Sequence, residues 1–233
     1  MENIDKSLVV PTHIGFIMDG NGRWAQKRGK TRTMGHRKAI SNIEEVITYC
    51  NDRGVKVVSL YAFSTENWKR PKTEVDYIFN LLRRFFDKFY KKFIKGQVKL
   101  TTMGDISALP EDLIQSITKC IKDTENFDKM IVNIGINYGS RQELCKAFNE
   151  LVKEGKNEIT EEDIESKLYT ANLPDPDIIV RTSGEIRLSN FMMYQASYSE
   201  FYFTETLWPD FHAEDVEKVI VEYNRRNRRY GNV

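Results

Sequence analysis

The spacing of apolar residues changes period several times along the chain. Near the start, IGFIMD (14–19) is an almost continuous apolar run ending on an acid and a glycine turn, which predicts a buried strand. Ile40, Ile43, Ile47 and Cys50 then recur at three- and four-residue intervals up to Gly54, the pattern of a helix with a glycine stop. VKVVSLYAF (55–63) predicts a second buried strand. Thr73 is read as the cap of a long helix in which Val75, Ile78, Leu82, Phe85, Phe89 and Phe93 form one stripe, with Lys and Arg opposite. VKLTTMG (98–104), MIVNIGINYG (130–139) and DIIVRTS (177–183) predict further short strands. Helices are expected from Asp112 to Thr124, Arg141 to Lys153, Glu161 to Leu168 and Ala213 to about Arg226.

Strands that alternate with helices, with no Ser/Gly linker or low-complexity tract between them, predict a single α/β domain over residues 1–233: a mostly parallel central sheet flanked by helices. Ligands of such sheets bind beyond the carboxyl ends of strands. Asp19, Ser64, Asn67, Asn137, Arg181 and Ser183 all fall at or just past those ends, so well-separated segments are expected to converge on one cleft.

Composition narrows the chemistry. The chain has 233 residues, 40% of them hydrophobic, and a formal net charge of +1. That balance supplies no global field for nucleic acid, so an anion site must come from local clustering. Cys50, Cys120 and Cys145 are far apart, which argues against a disulfide framework or a zinc site. No apolar run reaches the ~18 residues of a membrane span and the start, MENIDKSLVV, lacks the features of a signal peptide. A cytoplasmic protein is the expectation.

GNGRWA (20–25) after the first strand formally matches the dinucleotide fingerprint G-x-G-x-x-A, so a nicotinamide oxidoreductase is one reading. Against it, no acid ends the second strand, Asp19 would face the pyrophosphate, and Arg23 and Trp24 crowd a turn where the helix has to begin at once. A phosphatase with an aspartyl nucleophile would want a second acid at position 21, which is Asn. A third reading uses every residue: Asp19 holds one face of a magnesium ion whose other ligands are diphosphate oxygens and water, glycine N–H groups cradle the phosphates, and Arg23, Arg32 and His36 supply positive charge. The plain alternative is that Asp19 caps a turn beside a solvated basic face.

AFSTENWKRPKTE (62–74) combines Ser64, Asn67, Trp68, Arg70 and Glu74 after the second strand, either as site residues or as a turn shaped by Asn67 and Pro71 under a Trp68 lid. RTSGEIRLSN (181–190) sets Arg181, Arg187 and Ser189 after another strand, as fork donors to a second diphosphate or as solvated loop cations. Two diphosphate sites beside an aromatic helix suggest prenyl transfer.

HIGFIMDGNGRWA, GHRKA, LYAFSTENWKRP, NIGINYGSR, PDPDIIVRTSGEIRLSNF and SEFYFTETLWPDF, in that order from His13 to Phe211, resemble the signature blocks of cis-prenyltransferases, above all bacterial undecaprenyl diphosphate synthases. The resemblance implies a homodimeric α/β fold with a hydrophobic tunnel. The Val75–Phe93 stripe is read either as the wall of that tunnel or as plain core packing. It implies farnesyl diphosphate and isopentenyl diphosphate as substrates, Mg2+ as cofactor, and a long polyprenyl product such as undecaprenyl diphosphate, the lipid-carrier precursor for cell-wall synthesis. No nucleic acid is implied, and membrane contact would be peripheral at most.

By the same resemblance Asp19 and Asn67 are catalytic, and Asp19 with Glu200 holds the metal. Gly20, Asn21, Gly22, Arg23, Trp24, Arg32 and His36 match the allylic diphosphate site. Ser64, Thr65, Glu66, Trp68, Arg70 and Glu74 match substrate contacts and the closing segment, and Arg181, Arg187 and Ser189 match the isopentenyl diphosphate site. Ile186 stands where related sequences carry a polar residue, so no metal contact is expected there. The tail RRYG resembles an Arg-x-Gly ending of some members. A non-catalytic partner subunit is the remaining alternative, disfavoured by Asp19, Asn21 and Arg32.

Overall fold

The computed structural model describes residues 7–226. The RRYG expectation lies outside the described residues.

Six parallel strands, β1 (His13–Ile17), β2 (Val57–Ser64), β3 (Val98–Met103), β4 (Met130–Tyr138), β5 (Ile178–Arg181) and β6 (Glu200–Phe203), form one sheet in the order β3-β4-β2-β1-β5-β6. β1 is buried at all five positions and β5 at all four, as expected of strands covered on both faces. Phe16 stands beside Leu60 on one side and Val180 on the other, which puts the ends of β1, β2 and β5 together. After β1 the chain first builds β2, β3 and β4 to one side and then returns to add β5 and β6 on the other. The crevice at the carboxyl end of β1 is therefore the switch point at which doubly wound sheets bind ligands.

The helices are α1 (Asn21–Gln26), α2 (Arg32–Arg53), α3 (Lys72–Gly96), α4 (Glu111–Thr124), α5 (Ser140–Lys153), α6 (Glu161–Lys167) and α7 (Ala213–Arg225). Gly54 ends α2 in the left-handed conformation, φ 93°, as its sequence position predicts. Apolar faces of α2, α3, α4 and α7 join the sheet in the larger core, and a smaller cluster around Tyr138, Ile179, Phe191 and Met192 is separate from it. The whole α3 stripe from Val75 to Phe93 is buried, widened by Phe79, Leu81 and Phe86.

Three expectations need correction. α3 begins at Lys72, and its cap position is Pro71, with no side-chain cap: the ring sets the extended entry that Thr73 was expected to provide. The periodicity also misses α1 and β6, each too short to show a period of its own. Finally, the helix after Gly20 does begin at once, at Asn21, so helix position does not argue against a dinucleotide here. Among the described residues no helix is long and apolar enough to cross a membrane.

Candidate active site

β1 stops at Ile17 because Gly20 turns the chain with φ 98°, and a Cβ there would come within 2.7 Å of Leu207 Cδ2 and 2.9 Å of Ser183 Cβ. Asp19 stands on this turn. Its backbone N–H donates to Thr182 Oγ1 at 2.9 Å, and that hydroxyl donates to the Asp19 carbonyl at 2.7 Å. Oδ1 accepts the Gly20 N–H at 2.6 Å and Oδ2 accepts Arg181 Nη2 at 2.9 Å. Burial pushes the Asp19 carboxyl up, but the Arg181 and Gly20 hydrogen bonds outweigh it and hold it below the usual carboxylate range. Asp19 is ionised at neutral pH.

α1 packs on α2 at very short range: a Cβ on Gly35 would fall 1.8 Å from the Asn21 carbonyl oxygen. That approach brings Asn21 and His36 to the same opening. Asn21 donates through Nδ2 to the Met18 carbonyl at 3.1 Å, while its Oδ1 is buried with no partner among the described residues. His36 Nε2 is likewise buried and unpaired. Burial, aided by Arg70 and Arg32 and opposed by Glu74, pushes its imidazole down to about 4. His36 is thus neutral in the free protein, not one of the cations the sequence counted. Two unsatisfied polar atoms beside an ionised carboxylate are what a site left ready for a polar ligand shows.

From the other side, Arg70 donates to Glu74 Oε1 at 2.8 Å, and Arg32 stands 3.6 Å from the same oxygen. The Arg32 guanidinium carbon would lie 3.0 Å from a Cβ on Gly22, so that glycine makes room for it. Asn67 accepts the Ser64 N–H at 3.2 Å, tying the end of β2 into the following turn. Thr65 donates to Glu66, whose other oxygen accepts from Asn190 at 2.9 Å. Trp68 donates to Asn137 Oδ1 at 2.8 Å and sets its edge against Phe63 and Phe79.

Arg181, 4% exposed, ties the β5 loop to Asp19: its Nη1 donates to Ser189 Oγ and to the Arg187 carbonyl, each at 2.6 Å. Arg187 points elsewhere, pairing with Glu185 at 2.5 Å, and Glu185 also meets Arg23 at 3.2 Å. Arg23 in turn donates to Ser183 Oγ at 2.6 Å.

These segments surround a cavity of about 500 Å³. Asp19, Asn21, His36, Ser64, Glu66, Asn67, Arg70, Arg181 and Ser189 are its polar lining. Farther in, α2 contributes Ala39, Ile40 and Ile43, and α3 contributes Ile78, Leu81, Leu82 and Phe85. From the expected tunnel stripe, Ile78, Leu82 and Phe85 reach the wall, whereas Val75, Phe89 and Phe93 are core. A charged mouth on an apolar shaft suits an amphiphile with an anionic head.

Of the other expected residues, Gly20, Gly22, Arg23, Arg32, Thr65, Trp68, Glu74 and Arg187 belong to the turns and polar network around the cavity without lining it, and Trp24 and Glu200 stand outside both. Trp24 turns away from the cavity, donating to Asp210 at 2.6 Å with Arg28 over its ring. Glu200 opens β6 opposite Ile178, at the amino end of the sheet, and pairs with Arg226 at 3.1 Å. Within the chain it is not beside Asp19, and the described residues contain no group of three His, Cys, Asp or Glu fit to hold a metal. Ile186 is exposed.

Comparison with known proteins shows the family. Residues 17–231 match the family model described as "Putative undecaprenyl diphosphate synthase". The chain belongs to this prenyltransferase family. Relatives span nearly its full length: the isoprenyl transferase of Fusobacterium nucleatum is 45% identical over 96% of this chain and 97% of its own, and that of Listeria innocua is 47% identical over 97% and 92%. Among solved structures, lavandulyl diphosphate synthase from Lavandula x intermedia, in complex with dimethylallyl diphosphate, superposes with a TM-score of 0.88 at 31% identity, covering 96% of this chain and 99% of that one. A probable undecaprenyl diphosphate synthase from Campylobacter jejuni gives 0.81 at 34%, covering 95% and 99%. Membership in the prenyltransferase family sets aside the oxidoreductase reading of GNGRWA.

Thr182, Glu185 and Asn190 carry much of the hydrogen bonding here, and the sequence reading passed over them. One signal was available for Asn190: polar residues in the run after Arg187 suit left-handed backbone, and Ser189 and Asn190 adopt φ 51° and 66°.

Proposed function

We propose that this prenyltransferase condenses isopentenyl diphosphate repeatedly onto farnesyl diphosphate, with cis geometry, to give a long polyprenyl diphosphate of the undecaprenyl type. The observation that carries this reading is the cavity itself: an ionised Asp19 and a buried Arg181 at an opening whose interior is lined by α2 and α3 with apolar side chains.

Farnesyl diphosphate would set its head at the Asp19 turn and its tail between α2 and α3. Asn21 and His36 offer unpaired buried atoms there. The C–O bond of the allylic diphosphate breaks with its electron pair leaving on oxygen, and the terminal alkene carbon of isopentenyl diphosphate bonds to the allylic carbon. Arg181 keeps Ser189 facing the same opening, and Arg187 has to leave Glu185 to reach a second diphosphate. Each correctly placed donor to the departing charge contributes about 3 kcal/mol. The proton then lost from the adduct has two poor acceptors in the protein, because Asp19 is held low and His36 sits at about 4. The departed diphosphate, with a second phosphate pKa of about 6, is the stronger base.

The residues suit magnesium. One ionised carboxylate beside an orphaned amide oxygen, with no carboxylate cage, is a donor set for an ion that takes its remaining ligands from substrate phosphates and water. Asp19 would hold it, with Glu200 taking no part within the chain. Bound there, the ion supplies Lewis-acid stabilisation of the leaving group.

The protein acts, on this reading, as a cytoplasmic homodimer. Edge strand β6, where Phe201 and Phe203 stack at 6.1 Å, offers a surface for a second copy. The test is to incubate the purified protein with farnesyl diphosphate, labelled isopentenyl diphosphate and magnesium and to resolve lipid products by length. A ladder of polyprenyl products ending in one dominant length supports the reading. No incorporation by the lone protein would identify it as a subunit that needs a catalytic partner.

A further inference from the structure

The cavity stripe of α3 does not end inside the protein. Ile78, Leu81 and Phe85 recur at helical spacing, and the same spacing carried one and two turns on reaches Lys88 and Lys92. On α2 the matching row runs from His36 through Ile40 to Glu44. The two rows meet: Lys88 Nζ lies 3.0 Å from Glu44 Oε2, and Lys92 pairs with the other oxygen. Both ion pairs are partly exposed, the class that holds weakly in water. The seam between α2 and α3 is therefore closed by a clasp at the end away from Asp19.

The last turns of α3 beside that clasp are basic. From Arg84 to Gly96 the helix carries five cations, Arg84, Lys88, Lys91, Lys92 and Lys95, against one acid, Asp87. All five cations are exposed, and Ile94, 37% exposed, sits among the lysines. Lys88 and Lys92 answer to Glu44, but no acid is paired with Lys91 or Lys95 among the described salt bridges. With a chain-wide net charge of +1, this concentration is local and has to be explained locally.

We infer that this face of α3 docks on an anionic lipid bilayer. Lysines beside an apolar side chain on one helical face are what an interfacial helix presents to acidic headgroups. Lipid phosphates are also competitors of Glu44 for Lys88 and Lys92, so docking weakens the clasp one turn beyond the cavity-lining Phe85. Only that purpose rests on the proposed reaction; the binding itself does not.

The test uses the full chain without substrate, so its result is independent of the proposed activity. Flotation is measured with vesicles of phosphatidylcholine alone and with vesicles containing phosphatidylglycerol, at low and high salt. Because one lysine near an acidic surface contributes about fivefold in affinity, the double variant Lys91→Glu/Lys95→Glu should bind the acidic vesicles at least tenfold more weakly. An unchanged melting curve shows that the variant is folded, as expected for two exposed side chains without acid partners. The expected result is binding to acidic vesicles only, reduced by salt. Equal binding to both vesicle types, no binding to either, or a folded variant that binds as the parent does would overturn the inference. So would equal affinity for a DNA duplex, which would mark a general polyanion surface instead of a lipid-docking one.

Discussion

Arg181 Nη2 lies 2.9 Å from Asp19 Oδ2, and the two side chains differ in exposure, 4% for the arginine and 34% for the acid. The cation is fixed inside while the acid keeps a face toward the opening. Replacing Asp19 by Ala removes the carboxylate on the β1 turn and leaves the buried guanidinium with neutral acceptors only. Turnover should fall by about 10²- to 10³-fold, with a smaller change in farnesyl diphosphate KM, as for loss of a group acting on the leaving group. Steady-state kinetics check this, and near-normal turnover would strip Asp19 of its role.

Gly35 tests the packing that builds the mouth. A methyl group there would collide with the Asn21 carbonyl, so Gly35→Ala must push α1 away from α2. Overpacking of this kind costs about 1–3 kcal/mol, which should lower the melting temperature by several degrees and weaken allylic diphosphate binding together. A variant with full stability and affinity would show that the contact is looser than described.

The pH dependence of stability should carry a histidine signature. His13, buried with Nδ1 against the Pro174 carbonyl and Nε2 against Ser59, is pushed down to about 4, chiefly by burial, and so is His36. Both are uncharged in the fold, whereas the unfolded chain takes up their protons below about pH 6.5. Stability is therefore complete above that pH and declines as pH falls toward 4, with the unfolded state binding about two more protons than the native state. Urea midpoints measured across this interval should fall, and His36→Gln should remove roughly half the slope.

Product length should answer to Phe85. Its ring forms cavity wall and stacks on Phe89 at 4.3 Å, which backs it from the core side. Phe85→Ala should shift the product distribution toward longer chains at a stability cost of about 3–5 kcal/mol. An unchanged distribution would place the end of the shaft elsewhere.

What the sequence conveyed was local. The buried runs of β1 and β2, the α3 stripe and the Gly54 stop depend on neighbours a few residues away, and each appears as a spacing or a residue type. The meeting of Asp19 with Arg181 depends on β1 pairing with β5, 162 residues apart, and on the reversal of strand order beside β1. Spacing points only to strand ends; it says nothing of which ends are adjacent. Trp24 is the clearest case of a misleading neighbour. It follows the diphosphate turn by a few residues, yet the six-residue α1 rotates it to the opposite side, where Asp210 takes its N–H. Glu200 begins its strand while Asp19 follows the end of one, so within the chain the two stand at opposite ends of the sheet. The neutrality of His36 is a property of burial, which sequence alone does not display.

The measurement that bears most directly on the account is a crystal structure with an unreactive farnesyl thiodiphosphate and magnesium. The account predicts the diphosphate at the Asp19–Gly22 turn within reach of Asn21 and His36, and the farnesyl tail between Ile40, Ile43, Leu82 and Phe85. A headgroup bound away from Asp19, or a tail lying outside the space between α2 and α3, would contradict it.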